Sequence, residues 1–319
     1  MAHKRLTFSR PERDKPVMTL FTPYLWAVFT LAATLAQTYR NAAQRGLTGP
    51  LGASGATYVR FLYGLPFALA FLAIVSTAHG RAPPPPDGVA LAWAAIGGFT
   101  QILATALMLS AMRARSFVTT IAYTKTEPVQ VALFGLVFLG DHLTWAMAAA
   151  IGIATCGVMV MSWPSAAQRA EGGAEWRPTL LGIASGGFFA LSAIGYRGAI
   201  VRLDDPSFVM RATTVLALAL FLQTAAIVIW LAASDRAKLR AIAQAWRPSM
   251  KAGFAGALAS QFWFLAFALT SAAAVRTLAL IEVIWAQIAS KKLFQQGASA
   301  REFLGMGLIV AGVAILLNV

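Results

Sequence analysis

The feature that most constrains this chain is a series of long apolar runs, separated only by short polar breaks. A bilayer core of about 30 Å needs roughly 20 apolar residues per helix, and these runs have about that length. Only 12% of the residues are charged and 58% are hydrophobic, whereas soluble domains carry about 25% charged residues. The sequence therefore predicts an all-α integral membrane protein.

The apolar runs predict ten transmembrane helices, whose boundaries follow from glycines, prolines and charged breaks. The predicted helices cover residues 22–43, 53–75, 88–111, 116–139, 143–163, 178–200, 207–232, 251–270, 273–293 and 303–318. The breaks include the glycine-rich stretch 46–52, the proline run 83–86 and Gly140-Asp141-His142. The polar stretch 164–178 is the natural seam between two halves.

An internal repeat relates the two halves. The clearest matches are 155 positions apart (282 minus 127): Glu127 with Glu282, Gly152 with Gly307, and Gly157 with Gly312. Further pairs keep chain order at slightly different separations: Tyr39-Arg40 with Tyr196-Arg197, Arg60 with Arg211, and Gln101 with Gln261. Five helices per repeat would insert the second half upside down, and such inverted repeats are typical of transporters.

The predicted organisation has four parts. A basic cytoplasmic tail covers residues 1–20, a first five-helix repeat 21–164, a linker 165–177 and a second five-helix repeat 178–319. The apolar stretch after the tail is too long for a signal peptide and has no small-residue cleavage site, so we expect it to be retained as the first helix.

Several motifs of the chain resemble the drug/metabolite transporter superfamily, as two tandem EamA-type domains. They are Pro50, Arg60-Phe61, Ser110-Ala111, Glu127-Pro128-Val129, Leu139-Gly140-Asp141-His142-Leu143-Thr144, Gly152 and Gly157. In the second half the matching residues 294–297 lack the acidic position, and Glu282 lacks the following proline. The resemblance implies a ten-helix secondary transporter, often an exporter of amino acids, metabolites or drugs, with a cavity between the halves.

Two carboxylates, Glu127 and Glu282, are predicted near the middles of the fourth and ninth helices. An ionisable group at that depth costs at least about 2.5 kcal/mol on insertion scales, so it faces a cavity or a partner. Helical spacing places Tyr123 and Gln130 on the face of Glu127, and Trp285 on the face of Glu282. We expect these two faces to line the central cavity.

Membrane cations outnumber these carboxylates, and two interpretations stay open. Either the cations bias the cavity towards anionic solutes, or the arginines pair with the two carboxylates, or snorkel, and only hold the bundle together. The cations are Lys125, Arg276, Arg60 and Arg211. Gln101 and Gln261 likewise bind either a solute or a neighbouring helix. The candidate cavity residues are Glu127, Glu282, Lys125, Arg276, Tyr123, Gln130, Trp285, Gln101 and Gln261.

The sequence contains no nucleotide-binding, zinc-protease or serine-hydrolase motif, so we expect no enzyme, no cofactor and no metal site. The lone Cys156 is expected to pack inside. The expected partners are a small solute and the bilayer, since a net charge of +14 placed between apolar runs fits anionic headgroups better than nucleic acid. A proton as coupling ion, and a monomer or homodimer, are left open.

The leading prediction is a gradient-driven exporter of small metabolites, such as amino acids or other carboxylates, in a bacterial inner membrane. The alternatives are a low-specificity exporter of cationic drugs, or a membrane scaffold or enzyme that does not transport. The basic tail and the resemblance place both termini in the cytoplasm. The basic residues of the connections after the odd-numbered helices oppose this orientation under the positive-inside rule.

Overall fold

The computed structural model describes residues 24–114, 124–161, 177–284 and 300–319, which are helical with no strand among them. The helices are α1 Leu25–Leu62, α2 Leu65–His79, α3 Gly88–Ala114, α4 Glu127–Phe134, α5 Trp145–Met161, α6 Arg177–Arg202, α7 Phe208–Ser234, α8 Arg236–Gln244, α9 Trp246–Leu269, α10 Ala272–Leu278 and α11 Ala300–Leu317. A π-helical turn, Gly135–Leu139, continues α4.

Six helical segments within the described ranges are long and apolar enough to cross a bilayer. They are Ser54–His79, Gly88–Met108, Leu180–Arg202, Phe208–Ser234, Trp246–Leu269 and Ala300–Leu317. Two shorter apolar helices cover Glu127–Leu139 and Trp145–Met161. The chain is therefore an all-helical, multi-pass membrane protein, as predicted.

Large apolar side chains cover the outside of the bundle, as lipid contact requires. Trp145, Val137 and Ile229 are among the most exposed residues of the described chain. Cys156 is also exposed, so the expectation that it packs inside is wrong. A thiol is apolar enough to lie on a lipid-facing surface.

Helix breaks differ from the predicted ones at several places. The turn at residues 63–64 interrupts the predicted helix 53–75. Helical geometry continues through most of the expected turn at residues 46–52 and is interrupted only at Gly52, where φ is 70°. The fourth and ninth helices, predicted as continuous, are interrupted by turns at residues 125–126 and 279–280. A periodic apolar pattern does not show such breaks, because the side chains on both sides of them remain apolar.

The two halves interdigitate instead of packing side by side. The three most extensive helix contacts are α3 with α6, α9 with α1, and α5 with α11. Each of these pairs joins a helix of the first half to one of the second. The contact of α3 with α6 has its counterpart in that of α9 with α1 when the halves are exchanged.

The contact between α5 and α11 depends on glycines. A Cβ atom added at Gly157 would lie 2.7 Å from the Gly305 carbonyl oxygen, and one added at Gly312 would lie 2.7 Å from that of Ala150. Gly152, on the same helix, has nothing within 4 Å of such an atom. The two backbones therefore touch at Gly157, as small residues allow in membranes, but not at Gly152.

We expect Gly157→Ala to lower the thermal stability of the purified protein, because overpacking costs about 1–3 kcal/mol and rigid backbone atoms receive the added methyl group. Gly152→Ala is the matched control and should leave stability unchanged or raise it, since alanine favours helix. Fluorescence-detected size exclusion after heating measures both. Equal melting temperatures for the two variants would contradict the close contact.

Charged groups join the two halves at the C-terminal end of α6. Arg81 pairs with Asp205 at 2.7 Å, and Arg202 with Asp87 at 2.8 Å. Asp87 also accepts a hydrogen bond from the Ala90 backbone N–H at 2.7 Å, so it caps α3. This bond and the Arg202 guanidinium hold the pKa of Asp87 below its ordinary value. Both pairs connect residues 81–87 of the first half to residues 202–205 of the second.

Candidate functional site

Both membrane carboxylates lie directly after helix breaks. Glu127 is the first residue of α4 and follows the turn at residues 125–126. Pro128 favours this start, because a residue near a helix N-terminus needs no intrahelical donor. Glu282 follows the turn at residues 279–280, and its N–H bonds the Ala279 carbonyl at 3.0 Å, as in a 3₁₀ turn. Broken helices of this kind form the binding sites of many transporters.

The two carboxylates pair crosswise between the halves. Lys125 of the first half forms an ion pair with Glu282 of the second. Arg276 of the second half lies 3.1 Å from Glu127 of the first, measured from Nε to Oε1. Lys125 and Glu127, two residues apart, therefore belong to different ion pairs. The four side chains are only 13–19% exposed, so little water screens these pairs.

Neighbouring side chains fix the two pairs. Gln37 of α1 donates a hydrogen bond from Nε2 to Glu282 Oε2 at 3.0 Å. The Arg276 guanidinium lies 4.7 Å from the Trp263 ring centroid and 5.5 Å from that of Phe267, both on α9. Its Nε is not aimed well enough at Glu127 to form a hydrogen bond, so the attraction in this pair is mainly between the charges and with the rings.

A hydrogen-bonded cluster lies between α3, α6 and α7. Gln101 accepts bonds from the Tyr196 hydroxyl at 3.0 Å and from Gln223 Nε2 at 2.8 Å. Gln223 also lies 3.1 Å from the Tyr196 hydroxyl and 3.2 Å from the Gly98 carbonyl. These three residues, with Arg60 and Ser260, supply the polar lining of a small internal cavity of ≈ 10 Å³. Such a volume admits about one water molecule.

Arg60 and Arg40 accompany this cluster, and neither forms an ion pair among the described residues. Nε and Nη2 of Arg60 are sealed from solvent and make no hydrogen bond, while its guanidinium lies 4.4 Å from the Phe61 ring centroid. Arg40 is 8% exposed and donates to Asn41 Oδ1 at 2.9 and 3.3 Å. It interacts electrostatically with Arg60, Arg276 and Glu282. Together with the crosswise pairs, these two arginines form what we call the charged cluster. Its members are Arg40, Arg60, Lys125, Arg276, Glu127 and Glu282.

The remaining predicted residues make contacts with other partners or lie outside the described residues. Gln130 bonds Thr126 Oγ1 at 3.0 Å and the Ile183 carbonyl at 3.3 Å, which ties α4 to α6. Gln261 bonds Thr213 Oγ1 at 2.8 Å and so joins α9 to α7. Both side chains therefore bond a neighbouring helix, which is a common use of glutamine in membranes. Tyr123 and Trp285 lie outside the described residues.

The membrane arginines differ in whether they pair with a carboxylate. Arg276 pairs with Glu127, as the packing interpretation expects. Arg60 and Arg211 form no ion pair with either carboxylate in the described part of the chain, and the Nε of each is buried without a hydrogen bond. Cations therefore exceed carboxylates in the core of the bundle.

Sequence reasoning missed four residues of this region: Gln37, Arg40, Tyr196 and Gln223. The repeated Tyr-Arg dipeptides, Tyr39-Arg40 and Tyr196-Arg197, were a signal for two of them, because membrane arginines are functional candidates by default. Gln37 and Gln223 carried no such signal. A lone glutamine in an apolar run is as compatible with helix packing as with a site.

A second cross-half contact, which we call the clasp, consists of Asp141, Arg197 and the last turn of α9. Arg197 donates from Nη2 to Asp141 Oδ1 at 3.1 Å and from Nη1 to the Phe267 carbonyl at 2.8 Å and the Thr270 carbonyl. A cation there satisfies carbonyls that a helix end leaves free. Arg40, the repeat-equivalent of Arg197, instead points into the charged cluster.

Comparison with known proteins agrees with this architecture. Residues 20–163 match the EamA-like transporter family. A crystal structure described only as that of a protein aligns with 91% of this chain and 95% of its own, with a TM-score of 0.62 and 15% identity, which shows a shared fold. No curated protein matches. The first half of the chain is therefore similar to the EamA-like transporter family, which is part of the drug/metabolite transporter superfamily.

Proposed function

We propose that this protein is a gradient-driven carrier that exports small carboxylate-bearing metabolites, amino acids among them, through a central site between two inverted five-helix repeats. The observation that carries the proposal is the crosswise pairing of Lys125 with Glu282 and of Arg276 with Glu127. Each pair joins the halves at a helix break. The reciprocal contacts of α3 with α6 and of α9 with α1 support the inverted repeat.

Paired charges between the halves suit a carrier, because they can exchange partners with a solute. A carboxylate solute competes with Glu127 and Glu282 for the same cations, and a charge-assisted hydrogen bond is about twice as strong as a neutral one. Binding would thus loosen the contacts that hold the halves together. In an empty site the crosswise pairs neutralise Lys125, Arg276 and the two glutamates, which lowers the cost of burying these four groups.

Transport requires the halves to separate at one end while they meet at the other. In the structure the clasp and the pairs Arg81–Asp205 and Arg202–Asp87 connect the halves near the C-terminal end of α6. We propose that these contacts form the gate at this end. Both termini are proposed to lie in the cytoplasm of a bacterium, with lipid as the main partner and a proton as a candidate coupling ion.

Reconstituted protein tests the proposal. We expect proteoliposomes to take up at least one amino acid or other small carboxylate from a metabolite panel, saturably and faster than empty liposomes. A thermal-shift screen of the same panel selects the candidates, because a ligand of the folded state raises its apparent stability. Transport of cationic dyes without carboxylates would favour the drug exporter. No flux of any solute would favour a scaffold or enzyme.

A further inference from the structure

The charged cluster contains more cations than carboxylates. Its cations are Arg40, Arg60, Lys125 and Arg276, and its carboxylates are Glu127 and Glu282. The chain has 12 acidic residues, and the other ten lie in the tail, the linker, the helix connections or the first turn of α11. The sequence therefore supplies no further carboxylate at the depth of the charged cluster. The positive charges of Arg40 and Arg60 remain uncompensated.

The two unpaired cations lie together. Arg40 and Arg60 both pack against Gly256, since a Cβ atom added there would lie 3.5 Å from Arg40 Cδ and 3.2 Å from Arg60 Cβ. Arg40 is only 8% exposed, and Nε and Nη2 of Arg60 are sealed from solvent. Two like charges buried together are unfavourable unless an anion joins them. Nothing in helix packing requires two arginines here, since a leucine or methionine would fill the space without that cost.

Arg60 shares the lining of the small cavity with several hydrogen-bonding side chains. Gln101, Tyr196, Gln223 and Ser260 line the same small cavity. Guanidinium groups present a planar fork that matches a carboxylate or phosphate, and amides and hydroxyls complete the coordination of such an anion. At ≈ 10 Å³ the cavity is too small for a carboxylate, so an anionic group enters only when the halves separate.

We propose that the solute of this carrier is a small organic dianion, a dicarboxylate or a phosphate monoester, which Arg40 and Arg60 bind at one end. This inference rests on the proposed function and narrows its solute class. A charge of −2 neutralises the excess of two cations, whereas a monoanion leaves one uncompensated. The second anionic group of a dicarboxylate would reach Lys125 or Arg276 by displacing Glu282 or Glu127.

Uptake into proteoliposomes tests the inference with a matched pair of solutes. Succinate carries two negative charges, and its monoamide, succinamate, has nearly the same shape with one. We expect wild-type protein to take up succinate at least about tenfold faster, since one buried charge contact is worth 1.4 kcal/mol or more. Glycerol 3-phosphate is the second dianion to test, as a competitor of succinate uptake. If it inhibits this uptake better than unlabelled succinate does, the site belongs to phosphate monoesters within the same class of dianions.

The variants Arg40→Met and Arg60→Met should lose the preference for succinate, and Arg60→Lys should keep part of it. Arg240→Met, which removes an exposed cation on α8, is the control and should behave as wild type. Equal uptake of succinate and succinamate by wild-type protein would overturn the dianion inference and leave the carboxylate carrier standing. If no carboxylate moves and dyes do, the proposed function itself fails. Where a variant does not fold, the comparison of succinate and succinamate uptake by wild-type protein still tests the inference.

Discussion

The variants Glu127→Gln and Glu282→Gln are expected to lose transport while the protein stays folded and inserted. Each substitution keeps the shape of the side chain but leaves Arg276 or Lys125 as an unpaired charge in the bundle. Breaking a buried ion pair by removing one charge costs about 3 kcal/mol, which corresponds to about 100-fold in an equilibrium. Both carboxylates are mostly buried, so water recovers little of this cost.

Initial uptake rates in proteoliposomes measure the effect, with size exclusion to establish that each variant is folded. The control is Asp204→Asn, which removes an exposed carboxylate between α6 and α7 and should transport as wild type. Because the pairs are crosswise, the two glutamate variants should fail alike. Wild-type flux in both would show that these carboxylates are dispensable, and the site would have to be sought elsewhere.

Asp141→Asn is expected to open the gate at the C-terminal end of α6. The substitution removes the charge opposite Arg197 but leaves the bonds from Arg197 to the Phe267 and Thr270 carbonyls. A hydrogen bond between charged groups contributes about 1.5–3 kcal/mol, so the open population should rise by roughly tenfold or more. Transport should fall, because the carrier then spends less time closed at this end.

Cysteine accessibility reports the opening directly. Leu203 is 4% exposed and lies at this end of the bundle, so Leu203→Cys in a Cys156→Ala background gives one reporter thiol. Its rate of labelling by a hydrophilic maleimide in detergent should rise roughly tenfold with Asp141→Asn. Asp235→Asn, which removes the cap of α8, should not change it. An unchanged rate in Asp141→Asn would show that the clasp does not hold this end closed.

Helix breaks mark where sequence patterns stopped being informative. The apolar runs predicted the long apolar helices of the described residues, because bilayer thickness sets their length. They did not predict the short polar helix α8, Arg236–Gln244. The turns at residues 125–126 and 279–280 were missed, since each lies inside an apolar run. Tyr123 and Glu127 would share one face only if the helix were continuous. The turn at residues 125–126 lies between them, so helical spacing no longer relates their positions.

The charged cluster was predictable in composition but not in pairing. Charge cost at mid-membrane singles out Glu127, Glu282, Lys125 and Arg276 from the sequence alone. Which cation meets which carboxylate depends on how the halves interlock, and no local pattern encodes that. The same holds for Arg40 and Arg197, which are equivalent in the repeat yet have different partners.

The sequence by itself determined that this protein is helical and membrane-embedded, because long apolar runs have no other way to satisfy their backbone groups in lipid. It also determined which two carboxylates, Glu127 and Glu282, must avoid lipid. Only the tertiary structure decided how those charges are shared between the halves. Ion pairs are short-range contacts between residues distant in the chain, as between Lys125 and Glu282, and their partners are fixed by helix packing.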